Sequence, residues 1–259
     1  MRKAKKSTIH QPSDVRRDLH PEPPKDGRVV IAFIHPGTVS AFFNTSVIGT
    51  LLYDQNNNRR IVGMMQEWSS ANVSAARNTL TGRFLDDYDA DWLLWIDADM
   101  AWEPTAVDEL VASADPEKAP LVGGLCFGAA QDRLFPTIYQ FIKREDDTIS
   151  TIRVGQYPAD TMVHCAATGA AFLLIHRSVL EEMRKREFNA AFPFFQETEL
   201  AGAPAGEDVT FCLRAGICGA SIYVNTAIKV GHHKSHLLTE DLFLSQTEDV
   251  DGDELSQRA

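Results

Sequence analysis

The sequence predicts a single α/β domain in which a mixed, mostly parallel central sheet is flanked by helices. Residues 28–35 and 92–96 are continuous apolar runs rich in β-branched and aromatic side chains, a pattern typical of strands buried on both faces. Segments with apolar residues at helical spacing separate such runs. A chain of 259 residues with 44% hydrophobic content is long enough to bury one large core.

The first half of the chain alternates strands and helices. The predicted elements are a strand at 28–35, a helix at 39–53, a strand at 60–65, a helix at 74–88 and a strand at 92–96. In such βαβ units ligands collect outside the carboxyl ends of the strands. His35, Gln66 and Asp97 stand at these ends, so we expect the functional site there.

The second half mixes shorter elements with one long irregular run. The predicted elements are a helix at 105–113, a strand at 121–125, a hairpin at 136–142 and 148–154, a strand at 169–175, helices at 178–185 and 207–215, and a strand at 221–225. Residues 186–206 carry four phenylalanines among Pro, Gly and Ala. A loop this long is usually functional or disordered, and its aromatic side chains predict either burial beneath it or a substrate platform.

Charge separates the two ends of the chain from its middle. The formal net charge of −11 argues against a general nucleic-acid binder, because neutralising phosphates needs a basic surface. We expect a flexible basic tail over residues 1–27, a folded domain over 28–238 and an acidic tail over 239–259.

The cysteines and the hydropathy predict a compartment. The four cysteines show neither a CxxC pair nor zinc-finger spacing, which favours reduced thiols. No apolar run approaches the ~20 residues that span a bilayer, and the polar N-terminus lacks the apolar segment of a secretory signal. We therefore expect a cytoplasmic protein without a membrane span.

Two carboxylates one residue apart follow the strand at 92–96. Strand side chains alternate faces, so Asp97 and Asp99 are expected to project to the same side. Paired oxygen ligands suit Mg²⁺ or Mn²⁺, which can then hold the phosphates of a nucleotide. The alternative is a strand that ends in an acidic, solvated turn.

Three further clusters accompany the acidic pair. They are Ser74-Ala75-Ala76-Arg77-Asn78, Gly206-Glu207-Asp208 and Gly231-His232-His233-Lys234. With them, residues 29–236 resemble a nucleotide-sugar glycosyltransferase of the GT-A (Rossmann-like) fold, most closely glycosyltransferase family 2 and its phage- and bacteria-encoded relatives. The resemblance implies a metal-dependent inverting enzyme that moves a sugar from a UDP- or GDP-sugar to a hydroxyl. A phage-encoded chain would act in the host cytoplasm.

The resemblance also assigns the donor site. It implies that Asp99 binds the metal, Mn²⁺ or Mg²⁺, and that Asp97 contacts the ribose or the metal shell. His35 and Pro36 match the end of the first strand, where backbone groups cradle the base. Lys234 is expected to help neutralise the leaving diphosphate.

Arg77 and Asn78 match the family's helical donor contact. A guanidinium can pair with a diphosphate in a forked geometry. The alternative for Arg77 is a surface ion pair with Asp86 or Asp87.

Glu207 and Asp208 resemble the acidic pair that supplies the family's catalytic base. Displacement at the anomeric carbon needs a carboxylate to take the acceptor's proton, and a helix N-terminus favours the ionised form. Asp208 is the predicted base, and Glu207 is expected to orient the acceptor or a neighbouring group. Alternatively, both are ordinary acids of a first helical turn.

A histidine late in the chain completes the metal shell in many GT-A enzymes. His232 matches it, with His233 and His236 as alternatives, because imidazole can bind Mn²⁺ beside carboxylates. Thr168-Gly169-Ala170 resembles the family's small-residue turn near the acceptor.

The chain departs from the family at the second strand, which ends Gln66-Glu67-Trp68 instead of an aspartate pair, so the base specificity is open. Two other functions stay as alternatives. A nucleotidyltransferase would need a Gly-rich, basic loop after the first strand, whereas Pro36-Gly37-Thr38-Val39 has no basic residue. A non-catalytic nucleotide-sugar-binding relative would bind without turnover. The acceptor could be a protein, a glycan, a modified nucleobase or a small molecule.

Overall fold

The computed structural model describes residues 26–69, 71–130 and 133–234. Residues 1–25 of the predicted basic tail, the whole predicted acidic tail and His236 lie outside the described residues. The helices are α1 Ala41–Asn56, α2 Val73–Asp87, α3 Ala106–Ser113, α4 Arg177–Arg186 and α5 Glu207–Ile217. The strands are β1 Val29–His35, β2 Ile61–Trp68, β3 Trp92–Ile96, β4 Met100–Ala101, β5 Leu121–Leu125, β6 Phe127–Ala130, β7 Arg133–Pro136, β8 Ile138–Lys143, β9 Ile149–Arg153, β10 Met162–Cys165, β11 Ala167–Thr168, β12 Phe172–His176, β13 Thr198–Leu200, β14 Ala203–Ala205, β15 Ile222–Lys229 and β16 Gly231–His232.

Seven strands form the central sheet, in the order β10-β15-β5-β12-β3-β1-β2. Strand β1 pairs in parallel with both β2 and β3, and β15 pairs in parallel with β5. Strand β12 runs antiparallel between β3 and β5, and β10 runs antiparallel to β15. Five of the seven strands therefore point the same way, which confirms the predicted mixed, mostly parallel sheet.

Helices cover both faces of the sheet, as its fully buried strands require. On one face Val29 and Ile31 of β1 pack with Phe43 of α1 and Leu110 of α3. On the other face the alternate residues of the same strands pack with α2, α4 and α5. These two apolar clusters are the core, and the polar ends of β1 and β3 are left at one edge of it.

The short elements refine the predicted pattern. The predicted hairpin is present as β8 and β9, and the predicted irregular run contains the small β13–β14 hairpin. Of its aromatic residues, Phe194 and Phe195 are completely buried, so burial beneath the loop is the outcome for these two side chains. The four cysteines are free thiols. Among the described helices, none is long and apolar enough to cross a membrane.

Candidate functional site

An open cavity of about 740 Å³ lies where β1 and β3 end. Predicted site residues form part of its wall, namely His35, Pro36, Arg77, Asp97, Asp99, Glu207, His232 and Lys234. These residues are spread over about 200 positions of sequence, and the sheet topology collects them because parallel strands end at a common edge.

Asp99 meets the late histidine through a small pair of strands. Met100 in β4 lies opposite His232 in β16, and the backbone N–H of His233 donates to the carbonyl of Asp99 at 2.8 Å. This pairing sets His232 Nε2 at 3.1 Å from Asp99 Oδ2, and Lys234 Nζ at 3.1 Å from the same oxygen. Asp99 is therefore the point on which the two cationic or metal-binding groups converge.

The orientation of the His232 ring favours a cation between it and Asp99. Its Nδ1 lies 2.8 Å from the carbonyl oxygen of Phe127, an acceptor, so Nδ1 carries a proton. In the neutral ring Nε2 then turns a lone pair toward the Asp99 carboxylate, an arrangement that a divalent ion can bridge. No cluster of three or more such ligands is preformed among the described residues. Asp99 and His232 thus fit as two ligands of an ion whose other positions remain for a bound phosphate or water.

Arg77 joins the acidic pair at β3 to the acidic pair at α5. Its side chain is 4% exposed, and its two Nη atoms lie 2.7 Å from Asp97 Oδ1 and 2.9 Å from Glu207 Oε1. Burial acts to lower the pKa of the guanidinium, but the charges of Asp97, Glu207 and Asp208 outweigh it and the pKa is raised. Arg77 is therefore a fixed positive charge in the cavity wall.

The two predictions for Arg77 fare differently. The surface ion pair is wrong, because Asp86 pairs with Arg184 and Asp87 with Arg83. Both arms of the guanidinium already hold carboxylates, so a forked contact with a diphosphate requires these ion pairs to open.

Asn78 is committed to the phenylalanine-rich loop. Its Nδ2 donates to the carbonyl of Phe195 at 2.6 Å, and its Oδ1 accepts from the backbone N–H of Phe194 at 2.9 Å. Asn78 is buried and is not among the residues that line the cavity. The loop it holds places the Phe195 ring beneath the Arg77 guanidinium, 5.5 Å from centroid to Cζ. Asn78 thus affects the site indirectly, through the loop that it holds.

Glu207 and Asp208 divide between two environments. Both stand in the first turn of α5, after Gly206 as the N-cap. Glu207 lines the cavity and pairs with Arg77, whereas Asp208 is not among the lining residues. Burial, and then the charge of Glu207, raise the pKa of Asp208 to about 6, although a nearby helix N-terminus was expected to favour its ionised form.

Asp208 faces the predicted small-residue turn. A Cβ atom built on Gly169 would lie 3.6 Å from Asp208 Oδ2, which is ordinary van der Waals contact. A Cβ atom on Gly206 would come within 3.0 Å of Asp208 Oδ1, which is tighter than an ordinary contact, so glycine suits this side of the carboxylate.

The turn after β1 shapes the far wall of the cavity. The backbone N–H of Gly37 donates to His35 Nδ1 at 3.0 Å, and Gly37 adopts a φ of +106°, a backbone conformation that glycine accommodates without strain. The sequence prediction missed Ser40, whose hydroxyl caps α1 by accepting from the N–H of Phe43 at 3.0 Å and which also lines the cavity. A serine before an apolar helical run is an N-cap signal that would have located it.

The arrangement defines a class before it suggests a particular relative: an α/β domain with an open cavity lined by acidic and basic side chains at the carboxyl ends of its strands. Comparison with solved structures gives that class as the GT-A-like fold. The chain is similar to A197 from STIV, at 16% identity over 81% of this chain and 87% of that one, with a TM-score of 0.52. It is also similar to GalNAc-T7, solved with UDP, GalNAc and Mn²⁺, at 12% identity, over 83% of this chain and 47% of that one, with a TM-score of 0.51.

A third structure, a glycosyltransferase involved in the glycosylation of the major capsid of PBCV-1, matches at 13% identity over 60% of this chain and 63% of that one, with a TM-score of 0.33. The chain thus spans about half the length of GalNAc-T7. No protein-family model and no curated protein sequence matches it. At these identities the first two structures confirm the predicted fold.

Proposed function

We propose that this protein is a metal-dependent inverting glycosyltransferase that moves a sugar from a UDP- or GDP-sugar to a hydroxyl. The observation that carries the proposal is the convergence of His232 and Lys234 on Asp99 at the mouth of a 740 Å³ cavity in a GT-A-like fold. GalNAc-T7, which shares this fold, is solved with UDP, GalNAc and Mn²⁺, and the proposal extends that donor chemistry to this chain.

The cation-binding half of the cavity would receive the diphosphate. Mn²⁺ or Mg²⁺ bound by Asp99 and His232 would supply positive charge for the departing nucleoside diphosphate. Lys234 carries a second positive charge to the same place. The residues His35 and Pro36 form the wall beyond, where the base would lie.

The Arg77 ion pairs would set the distance between the part of the site that binds the donor and the part that holds the general base. The buried guanidinium holds both Asp97 and Glu207. Asp97 would face the donor and Glu207 the acceptor. Because the three groups neutralise one another in part, Asp97 can contact a ribose hydroxyl without an isolated buried charge.

Asp208 would act as the general base. The acceptor O–H gives its proton to the Asp208 carboxylate while the acceptor oxygen forms a bond to the anomeric carbon. The bond from that carbon to the diphosphate oxygen breaks, and the electron pair leaves with the diphosphate. A pKa of about 6 leaves Asp208 ionised at neutral pH and makes it a better proton acceptor than an ordinary aspartate.

The first test is nucleotide release from a panel of UDP-, GDP-, TDP- and CMP-sugars with Mn²⁺. We expect slow hydrolysis of one donor by the wild type and its loss in Asp99→Asn. The matched control is Asp160→Asn, an exposed aspartate paired only at the surface with Lys229. Donor binding without release would favour a non-catalytic relative, and silence across the panel with no binding by calorimetry would refute the proposal.

A further inference from the structure

Helix α1 packs Phe43 in the core but also turns several polar side chains toward the sheet, while several large apolar side chains stay exposed. Its inner face carries Ser46, Thr50 and Asp54, all buried. The hydroxyl of Ser46 accepts from the backbone N–H of Trp102 at 3.0 Å, and Thr50 Oγ1 accepts from Trp102 Nε1 at 2.8 Å. These bonds hold the helix in this orientation, because turning it over would leave buried donors without partners. The outward side of α1 carries Ile48, Leu51 and Leu52, with polar residues only near the two ends of the helix.

Strand β2 continues this apolar surface. It is the last strand of the central sheet and pairs, within the described residues, only with β1. Its Met64 and Trp68 stand opposite Ile31 and His35, and Ile31 packs in the core on the α1 side. The side chains of Met64 and Trp68 thus point to the same side of the sheet as α1, and Trp68 is 72% exposed.

We call the exposed apolar side chains of these two elements the α1–β2 face. Its members are Ile48, Leu51, Leu52, Val62, Met64 and Trp68; Phe42 is also exposed, but its ring packs against His233 in the cavity wall. Single exposed apolar residues need no explanation, but a group this large on one side of a molecule usually marks an interaction site.

The α1–β2 face also carries little charge. In a chain with 24% charged residues, Asp54, Arg59, Arg60 and Glu67 are the only Asp, Glu, Lys or Arg within residues 29–76, and Arg60 is paired with Asp108. Asp54 is buried against the backbone of Arg60, and Glu67 alternates to the opposite side of β2 from Met64 and Trp68. Depletion of charge is the compositional mark of an interface centre.

The edge of β2 is only lightly protected. Natural edge strands are blunted by lysine, proline, other charges or bulges, and β2 contains neither lysine nor proline over its eight residues, with one charged residue, Glu67, and one irregularity near its start. Its unpaired N–H and C=O groups are a template for another strand.

We propose that the α1–β2 face binds a second copy of this chain. A β-edge is complementary to itself: two β2 strands related by a two-fold axis can pair antiparallel, each donating to and accepting from the other. The net charge also favours a second copy of this chain. Each chain carries −11, so two copies repel least where their surfaces carry little charge.

The area is comparable to that of a small stable interface. Fully covered, the exposed parts of the six side chains amount to roughly 600 Å² per copy, against about 800 Å² per partner in a standard interface. Antiparallel pairing directs the carboxyl ends of the two β2 strands opposite ways. The two cavities then open at opposite ends of the joined sheet, and both stay accessible.

The test is the solution mass, measured by light scattering after gel filtration. We expect the wild type to have twice the 28.7 kDa of one chain. Leu52→Glu on α1 and Met64→Lys on β2 should each give the single-chain mass, since each places a charge in the interface. The matched control is Ile217→Glu: Ile217 is 53% exposed and Leu52 is 56% exposed, and Ile217 lies at the end of α5, away from the face. This variant should remain dimeric.

Hydrogen exchange supplies a second readout that does not depend on mass. The outward amides of β2 should be protected in the wild type and should exchange rapidly in Leu52→Glu, while the amides of β3 in the core stay protected in both. Protection of β3 also shows that the variant is folded. Neither measurement requires a sugar donor, so a negative result for the dimer is distinct from a negative result for the proposed glycosyltransferase activity.

Three results would overturn the proposal. A single-chain mass for the wild type at the highest concentration it tolerates is the first. A dimer that survives both substitutions is the second. The third is a monomer whose α1 amides lose protection when residues 235–259 are removed, because the chain's own C-terminal segment would then be the occupant.

Discussion

Among the candidate site carboxylates, Asp208 has the pKa that burial raises most clearly, and its role as a base follows from that pKa. Burial and the adjacent Glu207 disfavour its charge, while Arg77 favours it. A base needs to be ionised at the working pH and still hold a proton well, and a pKa near 6 satisfies both needs.

Replacement of Asp208 by asparagine should remove the base with little change in shape. We expect transfer to fall by about 10²- to 10⁴-fold, the usual contribution of a general base, with donor affinity unchanged. Turnover and donor binding by calorimetry measure the two separately. Near-normal turnover in Asp208→Asn would take this residue out of the mechanism.

The pH profile provides an independent check on Asp208. Its pKa is raised to about 6, so its base form is lost as the pH falls through that value, and the rate with saturating donor should then drop about tenfold per pH unit. In Glu207→Gln the neighbouring negative charge is gone, so the fall in rate on the acid side of the pH profile should move to lower pH. If the pH of this fall is unchanged in the variant, Asp208 is not the group that the profile reports.

At the scale of elements, Arg77 is the link between α2, β3 and α5. Both ion pairs radiate from one buried guanidinium, which also stacks near the rings of Trp95 and Phe195. Removing it leaves Asp97 and Glu207 facing one another without a counter-charge. The stability of three elements therefore depends on one side chain.

We expect Arg77→Met to lower the free energy of unfolding by roughly 2–4 kcal/mol, at or below the usual range for a broken buried pair because both carboxylates are partly exposed. The matched control is Arg83→Met on the same helix, whose ion pair with Asp87 is at the surface and should contribute less than about 1 kcal/mol. Urea denaturation followed by circular dichroism measures both. Equal effects of the two substitutions would show that the Arg77 ion pairs are not structural.

Helix α1 and the phenylalanine-rich loop show how elements can have properties that their own sequences do not display. The apolar spacing of α1 predicts a helix, and the helix is present. The face that it buries is held both by Phe43 in the core and by Trp102, which offers two donors to Ser46 and Thr50. In the loop, the amide of Asn78 satisfies backbone groups of Phe194 and Phe195 and so fixes a segment without regular structure.

At the scale of the whole molecule, strands near the C-terminal end pair with strands from the first half of the chain. Strand β15 pairs with β5, and β16 pairs with β4 beside the acidic pair. His232 and Asp99, 133 positions apart, meet through this return. The pairing on the opposite edge of the sheet, between two β2 strands, would build the dimer without using any residue of the cavity wall.

The sequence by itself determined the fold class, the order of elements and the edge at which the site lies. Continuous apolar runs specify buried strands, because these are local rules of period and polarity. Strand alternation does not explain Asp97 and Asp99, because β3 ends at Ile96 and both aspartates stand in the turn before β4. Several residues of the site were also found by resemblance, including Asp99, Glu207 and His232.

Only the tertiary structure decided which of these side chains are joined. The partners of Arg77, the Asn78 bonds to the loop and the elevated pKa of Asp208 arise between residues far apart in sequence, and burial and Coulomb interaction depend on distances in space. The exposed apolar side chains of α1 have a similar origin. Periodicity shows that a helix has apolar positions, but its neighbours, here the core around Phe43 and the donors of Trp102, determine which of them are buried.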